Sequence, residues 1–295
     1  MEAKKIRGEL ITNHNLARYT SWRVGGNAER FYRPYNLSDL KNFLKELPKT
    51  EPLTWLGLGS NVLIRDGGIP GTVILTLNSL NELDILDETV VRAEAGVTCA
   101  KLSKLCIKKG LEGGAFFAGI PGTVGGALAM NAGAFGGETW RSVIAVETMN
   151  RHGEVRVRPP SNFIVGYRQV SGLKDEYFVA GHFRFQLGDP EHAKADINQL
   201  LKKRNETQPI GQYSCGSVFR NPQQNYAARL IESAGLKGMT IGDAEVSTKH
   251  ANFILNKGKA TAEDIELLIN HVAEKVYQVS GVELIREVHI IGKSK

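Results

Sequence analysis

Gly113 to Gly137 is the longest stretch without a charged side chain, and it contains nine glycines. Pro121 and the glycines disfavour a helix, because each glycine lowers helix stability by about 1 kcal/mol. A membrane-spanning helix would need roughly twenty mostly apolar residues. Glycine exposes backbone N–H groups and adopts positive φ freely, so the motif Gly-Ile-Pro-Gly-Thr-Val-Gly-Gly at 119–126 is typical of a phosphate-binding loop.

A second glycine-rich loop, Gly57-Leu-Gly-Ser-Asn61, follows the apolar run Pro52–Leu56. Two separate loops of this kind suit the two phosphates of one diphosphate. The sequence therefore predicts a binding site for one diphosphate group.

Three other segments carry polar residues that the fold itself does not require, and these are candidates for a functional site. Ser214–Pro222 contains hydroxyls, a glycine and an arginine in a turn-rich stretch, although its serines could equally cap backbone groups. Gly166-Tyr-Arg168 is also compatible with a surface salt bridge. Glu287 follows Arg286 in an apolar segment predicted to be a largely buried strand, where a carboxylate needs a partner or a function.

Composition argues against several other classes of protein. The 295 residues suit two domains or three small ones. The net charge of +6 fits an anionic ligand, but no block of five or six basic residues occurs, which disfavours nucleic-acid binding. Three cysteines are too few for a disulfide framework and indicate a reducing compartment. The first ten residues lack the apolar region of a signal peptide, so we expect a cytoplasmic protein.

Known short motifs are missing from the sequence. It has no Gly-x-Gly-x-x-Gly fingerprint after a strand, no P-loop and no His-Glu-x-x-His or paired Cys-x-x-Cys. Cys99 and Cys106 lie seven residues apart on one predicted helix and are expected to pack in a core. We therefore expect no metal site.

Helix and strand patterns alternate along the first two-thirds of the chain. An apolar face at Leu40, Phe43, Leu44 and Leu47 predicts a helix over 38–47 with Ser38 as its N-cap. Thr98 is predicted to cap a second helix that ends at Gly110. Strands are predicted at Leu53–Leu58, Thr72–Leu77, Thr89–Ala95, Val143–Met149 and Tyr177–Leu187.

A boundary is predicted at Gly188–Pro190, followed by a polar helix over 191–204 and a shorter helix over 225–234. Thr261 begins a capping-box pattern, which predicts another helix with one apolar stripe. The chain is predicted to close with a strand over 282–291 that holds Glu287. The stripe is formed by Ile265, Leu268, Ile269, Val272 and Val276.

Taken in order, these motifs resemble one enzyme family, the UDP-N-acetylenolpyruvoylglucosamine reductases (MurB). The resemblance covers nearly the whole chain, and the joint order of the motifs is more specific than any one of them. They are Thr20-Ser-Trp-Arg-Val-Gly-Gly26, Gly59-Ser-Asn-Val62, Ile120-Pro-Gly-Thr-Val-Gly-Gly126, Asn131-Ala-Gly-Ala-Phe-Gly136, Gly166-Tyr-Arg168, Thr207-Gln-Pro209, Ser214–Pro222, His250-Ala-Asn-Phe253 and Glu287-Val288.

The resemblance implies an α+β fold with a two-lobed FAD-binding unit of the vanillyl-alcohol-oxidase (PCMH) type and a C-terminal α/β substrate domain. The expected domains are residues 1–78 and 79–189 for the two FAD-binding lobes and 190–295 for substrate binding. The last strand, about 288–295, is a candidate to return to the first lobe. Noncovalent FAD and NADPH are the implied cofactors, a UDP-sugar is the implied substrate, and a monomer is favoured.

The resemblance also implies a role for each site residue. Arg168 would stabilise negative charge on the substrate carboxylate, Glu287 would act beside that carboxylate with a raised pKa, and Ser217 would donate a proton. Tyr167, Asn221 and His250 are expected to bind substrate. The expected FAD-binding residues are Gly57, Gly59, Ser60, Asn61, Gly119, Pro121, Gly122, Thr123, Gly125, Gly126, Asn131 and Gly133.

One departure from the family pattern is visible. Some members carry a tyrosine loop about thirty residues after the Gly-Tyr-Arg motif, which closes over the substrate. In this chain the residues about thirty positions after Arg168 are Ile197–Leu200, which lie within a predicted helix and include no tyrosine. The chain therefore resembles the shorter, second type of the family.

Two alternatives compete with this interpretation, and the second belongs to another class of protein. A different FAD-dependent oxidoreductase of the same fold could act on an alcohol or a sugar, although many of those attach FAD through a histidine that Gly57–Asn61 lacks. A non-catalytic flavin- or nucleotide-sugar-binding protein would keep the glycine loops, but it would have no reason to hold Arg168, Ser217 and Glu287.

Overall fold

The computed structural model describes residues 6–295, which form an α+β fold of twenty strands and six α-helices. In chain order the strands are β1 (Glu9–Asn15), β2 (Asn27–Arg33), β3 (Leu53–Leu56), β4 (Val62–Ile64), β5 (Ile69–Leu75), β6 (Leu83–Ile85), β7 (Val90–Glu94), β8 (Leu111–Glu112), β9 (Gly133–Ala134), β10 (Gly137–Glu138), β11 (Val143–Asn150), β12 (Val155–Arg158), β13 (Ile164–Gly166), β14 (Gln169–Ser171), β15 (Glu176–Arg184), β16 (Gln186–Leu187), β17 (Thr240–Ile241), β18 (Ala244–Val246), β19 (Ile254–Asn256) and β20 (His289–Ile291). The helices are α1 (Leu37–Glu46), α2 (Cys99–Lys108), α3 (Val124–Met130), α4 (Pro190–Thr207), α5 (Ala227–Ser233) and α6 (Ala262–Ser280). Among residues 6–295, no helix combines the length and the apolar character needed to cross a membrane.

Most strand pairing is antiparallel. The larger sheets have the orders β1-β2-β5-β3, β12-β11-β15-β7-β6 and β17-β18-β19, and the remaining strands pair as β4–β20, β8–β16, β9–β10 and β13–β14. Parallel pairing occurs between β3 and β5 and between β4 and β20. The mixture of parallel and antiparallel pairs with separate helices fits the predicted α+β class.

Side-chain caps mark the start of two predicted helices, which are confirmed. Thr98 accepts a hydrogen bond from the Lys101 amide at the start of α2, and Gly110 follows that helix with φ +63°. Thr261 and Asp264 form the reciprocal capping box predicted for α6. These ends were predictable because a cap depends only on residues a few positions apart.

The prediction that Ser38 caps α1 is wrong. Asn36 caps this helix, and its side-chain oxygen accepts a hydrogen bond from the Asp39 amide at 2.9 Å. Asn36 has the extended backbone that an N-cap requires, whereas Ser38 lies in the first helical turn. Asparagine and serine are comparable N-caps, so composition alone did not separate them.

The predicted strand over 282–291 is too long. Only His289–Ile291 forms a strand, and Glu287 is partly exposed in an irregular segment before it. Leu284 and Val288 are buried while Ile285 is 61% exposed, so the segment does not follow one buried strand. The predicted strand over 177–187 is likewise divided, because β15 ends at Arg184 and β16 pairs with β8 instead.

The chain folds into two compact units. The larger unit contains described residues 6–11, 31–58 and 72–203, and the smaller unit contains 12–30, 59–71 and 204–295. The three predicted domains, 1–78, 79–189 and 190–295, are defined by function and not by contacts within each unit, so they stay a prediction.

The larger unit is organised around the five-stranded sheet. One of its cores packs α2 and α3 on residues of β7, β11 and β15, including Val91, Val146 and Phe183. Glu147 on β11 accepts hydrogen bonds from Arg92 on β7 at 2.6 Å and from His182 on β15 at 2.9 Å. Burial raises the pKa of Glu147, but the bonds from Arg92 and His182 outweigh it and hold the pKa below its usual value.

The smaller unit is organised around α6. The predicted apolar stripe of this helix is buried in one core together with Trp22 and Phe219. Arg65, next to β4, forms a bidentate ion pair with Glu266 on α6, in which Nε and Nη2 lie 2.8 and 2.7 Å from the two carboxylate oxygens. The Asp66 carboxylate accepts hydrogen bonds from two amides at the start of the helix, where negative charge is stabilising.

Thr261→Ala should lower the free energy of unfolding by about 1 kcal/mol, because the amide of Asp264 loses its acceptor. Urea denaturation measures this loss. Thr50→Ala is the matched control, since Thr50 is exposed and caps no helix, and it should change stability by less than about 0.5 kcal/mol. Equal stability of the two variants would contradict the assigned role of the capping box.

Candidate functional site

The two predicted glycine loops meet at a cavity within the larger unit. Gly57 directly follows β3, and a Cβ built there would collide with Thr123 Oγ1 in the second loop. The cavity has a volume of about 150 Å³. Its lining includes Trp55, Leu56, Gly57, Thr76, Ala95, Thr123, Gly125, Gly126, Ala129, Leu173, Tyr177 and Phe178.

Thr123 places a hydroxyl at this cavity that the described protein atoms do not satisfy. The residue is 1% exposed, and its buried Oγ1 has no hydrogen-bond partner among residues 6–295. An unsatisfied buried hydroxyl is unfavourable. A phosphate oxygen of FAD would satisfy it, so the residues present fit a diphosphate-containing cofactor.

The glycines of the second loop serve different purposes. The amides of Gly122 and Gly125 donate to the carbonyls of Ile120 and Ala95, both at 2.9 Å, so neither amide is free for a phosphate. A Cβ on Gly125 would lie 2.9 Å from the Ala95 Cβ, which makes this glycine necessary for close packing. Gly126 is exposed, and the position of its Cβ has only Thr123 Oγ1 within 4 Å, at 3.8 Å. Open backbone next to the cavity is therefore found at Gly126.

Arg168 lies at the tip of the hairpin formed by β13 and β14. Its Nη2 donates to the Gly133 carbonyl at 2.9 Å, and its Nη1 donates to the Asn131 carbonyl at 3.4 Å. A Cβ on Gly133 would approach Nη1 to 3.1 Å, so glycine at this position leaves room for the guanidinium. The guanidinium carbon also lies 5.2 Å from the ring centroid of Tyr167, whose side chain is 49% exposed.

The other predicted cofactor-binding residues in and after the second loop make contacts within the protein. A Cβ on the buried Gly119 would lie 2.7 Å from the Ala134 Cβ, whereas Pro121 is exposed. The side chain of Asn131 is engaged by the protein, because its amide bonds to Gly166 and neighbouring groups. Contacts of these residues with a cofactor stay predictions.

Ser217 and Glu287 lie on neighbouring antiparallel segments of the smaller unit, although 70 positions separate them in the chain. Phe219 pairs with Arg286, and the amides of Glu287 and Val288 both point to the Val218 carbonyl, at 2.8 and 3.4 Å. Two amides on one carbonyl are typical of a β-bulge, which redirects a side chain. Sequence periodicity could not reveal this irregularity.

The first glycine loop continues into the smaller unit beside these residues. Asn61 Nδ2 donates to the Glu287 carbonyl at 3.2 Å, and the Asn61 carbonyl accepts from the His289 amide at 3.1 Å. Gly59 has φ +68°, and a Cβ there would lie 2.9 Å from the Thr20 Cα. Ser60 is partly buried. A hydrogen bond thus connects the side chain of Asn61, a predicted cofactor-binding residue, to the backbone of Glu287, a predicted catalytic residue.

Asn252 supports this region and was not predicted as a site residue. Its side chain accepts from the Phe219 amide at 3.0 Å and donates to the Phe219 carbonyl at 2.8 Å, while its carbonyl accepts from the Val218 amide at 2.9 Å. It is 3% exposed and therefore acts from inside the protein. The sequence signal that could have identified this residue was the asparagine of the His-Ala-Asn-Phe motif.

The remaining predicted substrate-binding residues lie in the same unit. The Asn221 side-chain oxygen accepts a hydrogen bond from the Ala227 amide at the start of α5. The His250 ring packs edge-on against Phe253, and its buried Nδ1 has no hydrogen-bond partner among residues 6–295. Burial lowers the pKa of His250 below its usual value, and the positive charge of Lys237 lowers it further.

Gly126→Val should abolish most FAD binding without harming the protein fold, because the added side chain occupies the cavity. The flavin absorbance per protein and the rise in Tm on adding FAD measure this effect. Gly125→Val is the matched comparison, since its side chain would strike Ala95 and lower the Tm of the apoprotein itself. A fully flavin-loaded Gly126→Val protein would place the cofactor elsewhere.

The His250 imidazole should titrate with a midpoint below its ordinary value of 6.5 and therefore be neutral at neutral pH. An NMR pH titration of the ring protons measures the midpoint, with the signal assigned by its loss in His250→Gln. A midpoint at or above 6.5 would contradict the described burial.

Two family models match the chain. One, described as UDP-N-acetylenolpyruvoylglucosamine reductase, C-terminal domain, matches residues 208–291, and one described as FAD binding domain matches residues 28–157. The UDP-N-acetylenolpyruvoylglucosamine reductase of Coxiella burnetii is 66% identical, with 98% of each chain covered. That of Legionella pneumophila (strain Corby) is 56% identical, with 97% of this chain and 93% of the relative covered.

Solved structures agree with these matches. The structure of UDP-N-acetylenolpyruvylglucosamine reductase from Thermus caldophilus is 30% identical and superposes with a TM-score of 0.82, covering 98% of this chain and all of that chain. The 6-hydroxy-D-nicotine oxidase of Arthrobacter nicotinovorans is 13% identical with a TM-score of 0.57 over 95% of this chain and 88% of that chain, which shows a shared fold alone. The predicted fold class and the FAD cofactor are confirmed. The chain belongs to the UDP-N-acetylenolpyruvoylglucosamine reductase family and is an FAD-binding oxidoreductase of peptidoglycan synthesis.

Proposed function

We propose that this protein reduces UDP-N-acetylglucosamine enolpyruvate to UDP-N-acetylmuramate with NADPH as the electron donor, in the cytoplasm. Bound FAD supplies the hydride-transfer chemistry that connects the donor to the substrate. The observation that supports the proposal is the backbone pairing of the Ser217 and Glu287 segments through the Val218 carbonyl, which makes a serine and a glutamate neighbours in the fold of a chain that belongs to this family.

The reaction adds a hydride to the methylene carbon of the enolpyruvyl group and a proton to the neighbouring carbon. After the hydride is added and before the proton arrives, negative charge lies on that neighbouring carbon and spreads into the substrate carboxylate. Arg168 is suited to stabilise this charge, because its guanidinium is planar, always charged and able to bind two carboxylate oxygens. The carbonyls of Asn131 and Gly133 hold the guanidinium in a defined orientation before substrate binds.

Ser217 is proposed to donate the proton that completes the reduction. Its side chain is partly buried, and the preceding Gly216 adopts φ +73°, a turn that an L-residue would strain. A serine hydroxyl is a weak acid, but a strongly basic carbon within hydrogen-bond reach can take its proton. Glu287, on the adjacent segment, is proposed to act beside the substrate carboxylate.

The glycine loops and the remaining predicted residues are proposed to bind the two nucleotides. Thr123 and Gly126 would contact the FAD diphosphate, in line with the open backbone at the cavity and a hydroxyl that no atom of residues 6–295 satisfies. Tyr167 is proposed to contact the UDP-sugar through its exposed ring. His250 is proposed to contact it through Nδ1, which lacks a partner in the described part of the chain.

Ser217→Ala should bind FAD and accept hydride from NADPH at nearly the normal rate, because the hydroxyl is needed only after hydride reaches the substrate. Reoxidation of the flavin by the enolpyruvyl UDP-sugar should slow by about 10²-fold or more. Rapid mixing measures both steps, as flavin bleaching with NADPH and colour return with substrate.

Two further variants control this experiment. Ser217→Cys keeps an ionisable proton and should recover part of the rate, and Ser214→Ala should have little effect if its hydroxyl only supports the turn. Normal colour return in Ser217→Ala would remove Ser217 from the mechanism.

A further inference from the structure

The hairpin that carries Arg168 has a strained turn. Gly166 pairs with Gln169 across the hairpin, so Tyr167 and Arg168 alone form the connection. Arg168 adopts φ +55°, in the left-handed region that a residue with a Cβ rarely occupies. Such strain persists only when surrounding contacts hold it, and it is concentrated at functional sites.

Asn131 supplies a contact of this kind from 35 positions away. Its Nδ2 donates to the Gly166 carbonyl at 3.1 Å, at the base of the strained turn. The same side chain accepts from the Trp140 amide at 3.2 Å and donates to Glu138 at 3.4 Å. Asn131 is 2% exposed, so water does not compete for these bonds.

The backbone of Asn131 contacts the same arginine from the other side. Asn131 ends α3 with φ +41°, and its carbonyl accepts from Arg168 Nη1 at 3.4 Å. The Gly133 carbonyl accepts from Nη2 at 2.9 Å. One residue thus holds both the turn that carries Arg168 and the end of its guanidinium.

We propose that Asn131 is a positioning residue for Arg168, in addition to ending α3. It fixes the orientation of the guanidinium by bonding the Gly166 carbonyl with its side chain and the guanidinium with its own carbonyl. The inference rests on the proposed function, in which Arg168 stabilises charge on the substrate. Loss of the side-chain bond lets the hairpin shift, and a misplacement of about 1 Å can lower a rate by about 10²-fold.

Asn131→Gly tests this with the least disturbance, because glycine accepts φ +41° and keeps the carbonyl while losing the amide. Asn131→Asp keeps the shape but faces the Gly166 carbonyl with an oxygen instead of a donor. Because Asn131 is also a predicted FAD-binding residue, each variant is first saturated with FAD, and bleaching by NADPH is measured on the same flavin-loaded protein as the reference rate. Relative to bleaching, colour return with saturating enolpyruvyl UDP-sugar should slow by about tenfold or more.

Two controls separate positioning from general stability. Asn150→Asp alters another asparagine at a turn: it keeps the oxygen that accepts from the amides of His152 and Glu154 but replaces the donor to the Glu154 carboxylate with a second carboxylate oxygen. It should therefore lower Tm without favouring either half-reaction. In an Arg168→Ala background, Asn131→Gly should slow colour return by less than about twofold further, because no guanidinium remains to be positioned.

The outcomes are distinct. Normal colour return in both Asn131 variants, or an equal slowing of bleaching and colour return, would overturn the positioning role. Additive effects of Asn131→Gly and Arg168→Ala would also overturn it. Normal colour return in Arg168→Ala alone would instead refute the proposed function of Arg168. If Asn131→Asp does not fold, Asn131→Gly decides the question.

Discussion

Close approach of neighbouring side chains to glycine backbone is the constraint on which the larger unit's site depends. Gly125 lies against Ala95, Gly133 leaves room for the Arg168 guanidinium, and Gly57 leaves room for Thr123. A Cβ would collide at Gly57 and at Gly125 and would crowd the guanidinium at Gly133, so the glycine content reflects packing as much as ligand contact. Gly57, Thr123 and Gly125 all line the cavity, and the Thr123 hydroxyl is left unsatisfied by residues 6–295.

The three residues that we propose act in catalysis lie on irregular backbone. Arg168 has a left-handed turn, Ser217 follows Gly216 at φ +73°, and Glu287 lies where two amides share the Val218 carbonyl. Phe163 and Val170, on either side of Arg168 in the chain, pack in the core that contains residues of the five-stranded sheet, and Val218 and Val288 pack in the core that contains α6. This arrangement is expected of an enzyme, since strained backbone is retained where orientation of a side chain affects the rate.

Local signals allowed much of the fold to be predicted. The caps at Thr98 and Thr261 and the apolar stripe of α6 depend on residues within one or two turns. The motifs also led to the family and to FAD. The Glu287 segment was misread as a strand because its bulge depends on pairing with Val218, about 70 positions earlier. The sequence predicted Asn131 only as an FAD-binding residue. The hydrogen bond on which its proposed positioning role rests was hidden for the same reason, since its partner Gly166 lies 35 positions later.

The central claim is that the glycine loops bind the diphosphate of FAD by close approach of backbone and the Thr123 hydroxyl. Calorimetric titration of the flavin-free protein with FAD and with FMN tests it most directly, because FMN carries the same ring system but no diphosphate. The account predicts that FAD binds at least about 100-fold more tightly, a difference of about 2.7 kcal/mol. Equal affinity for FAD and FMN would contradict it.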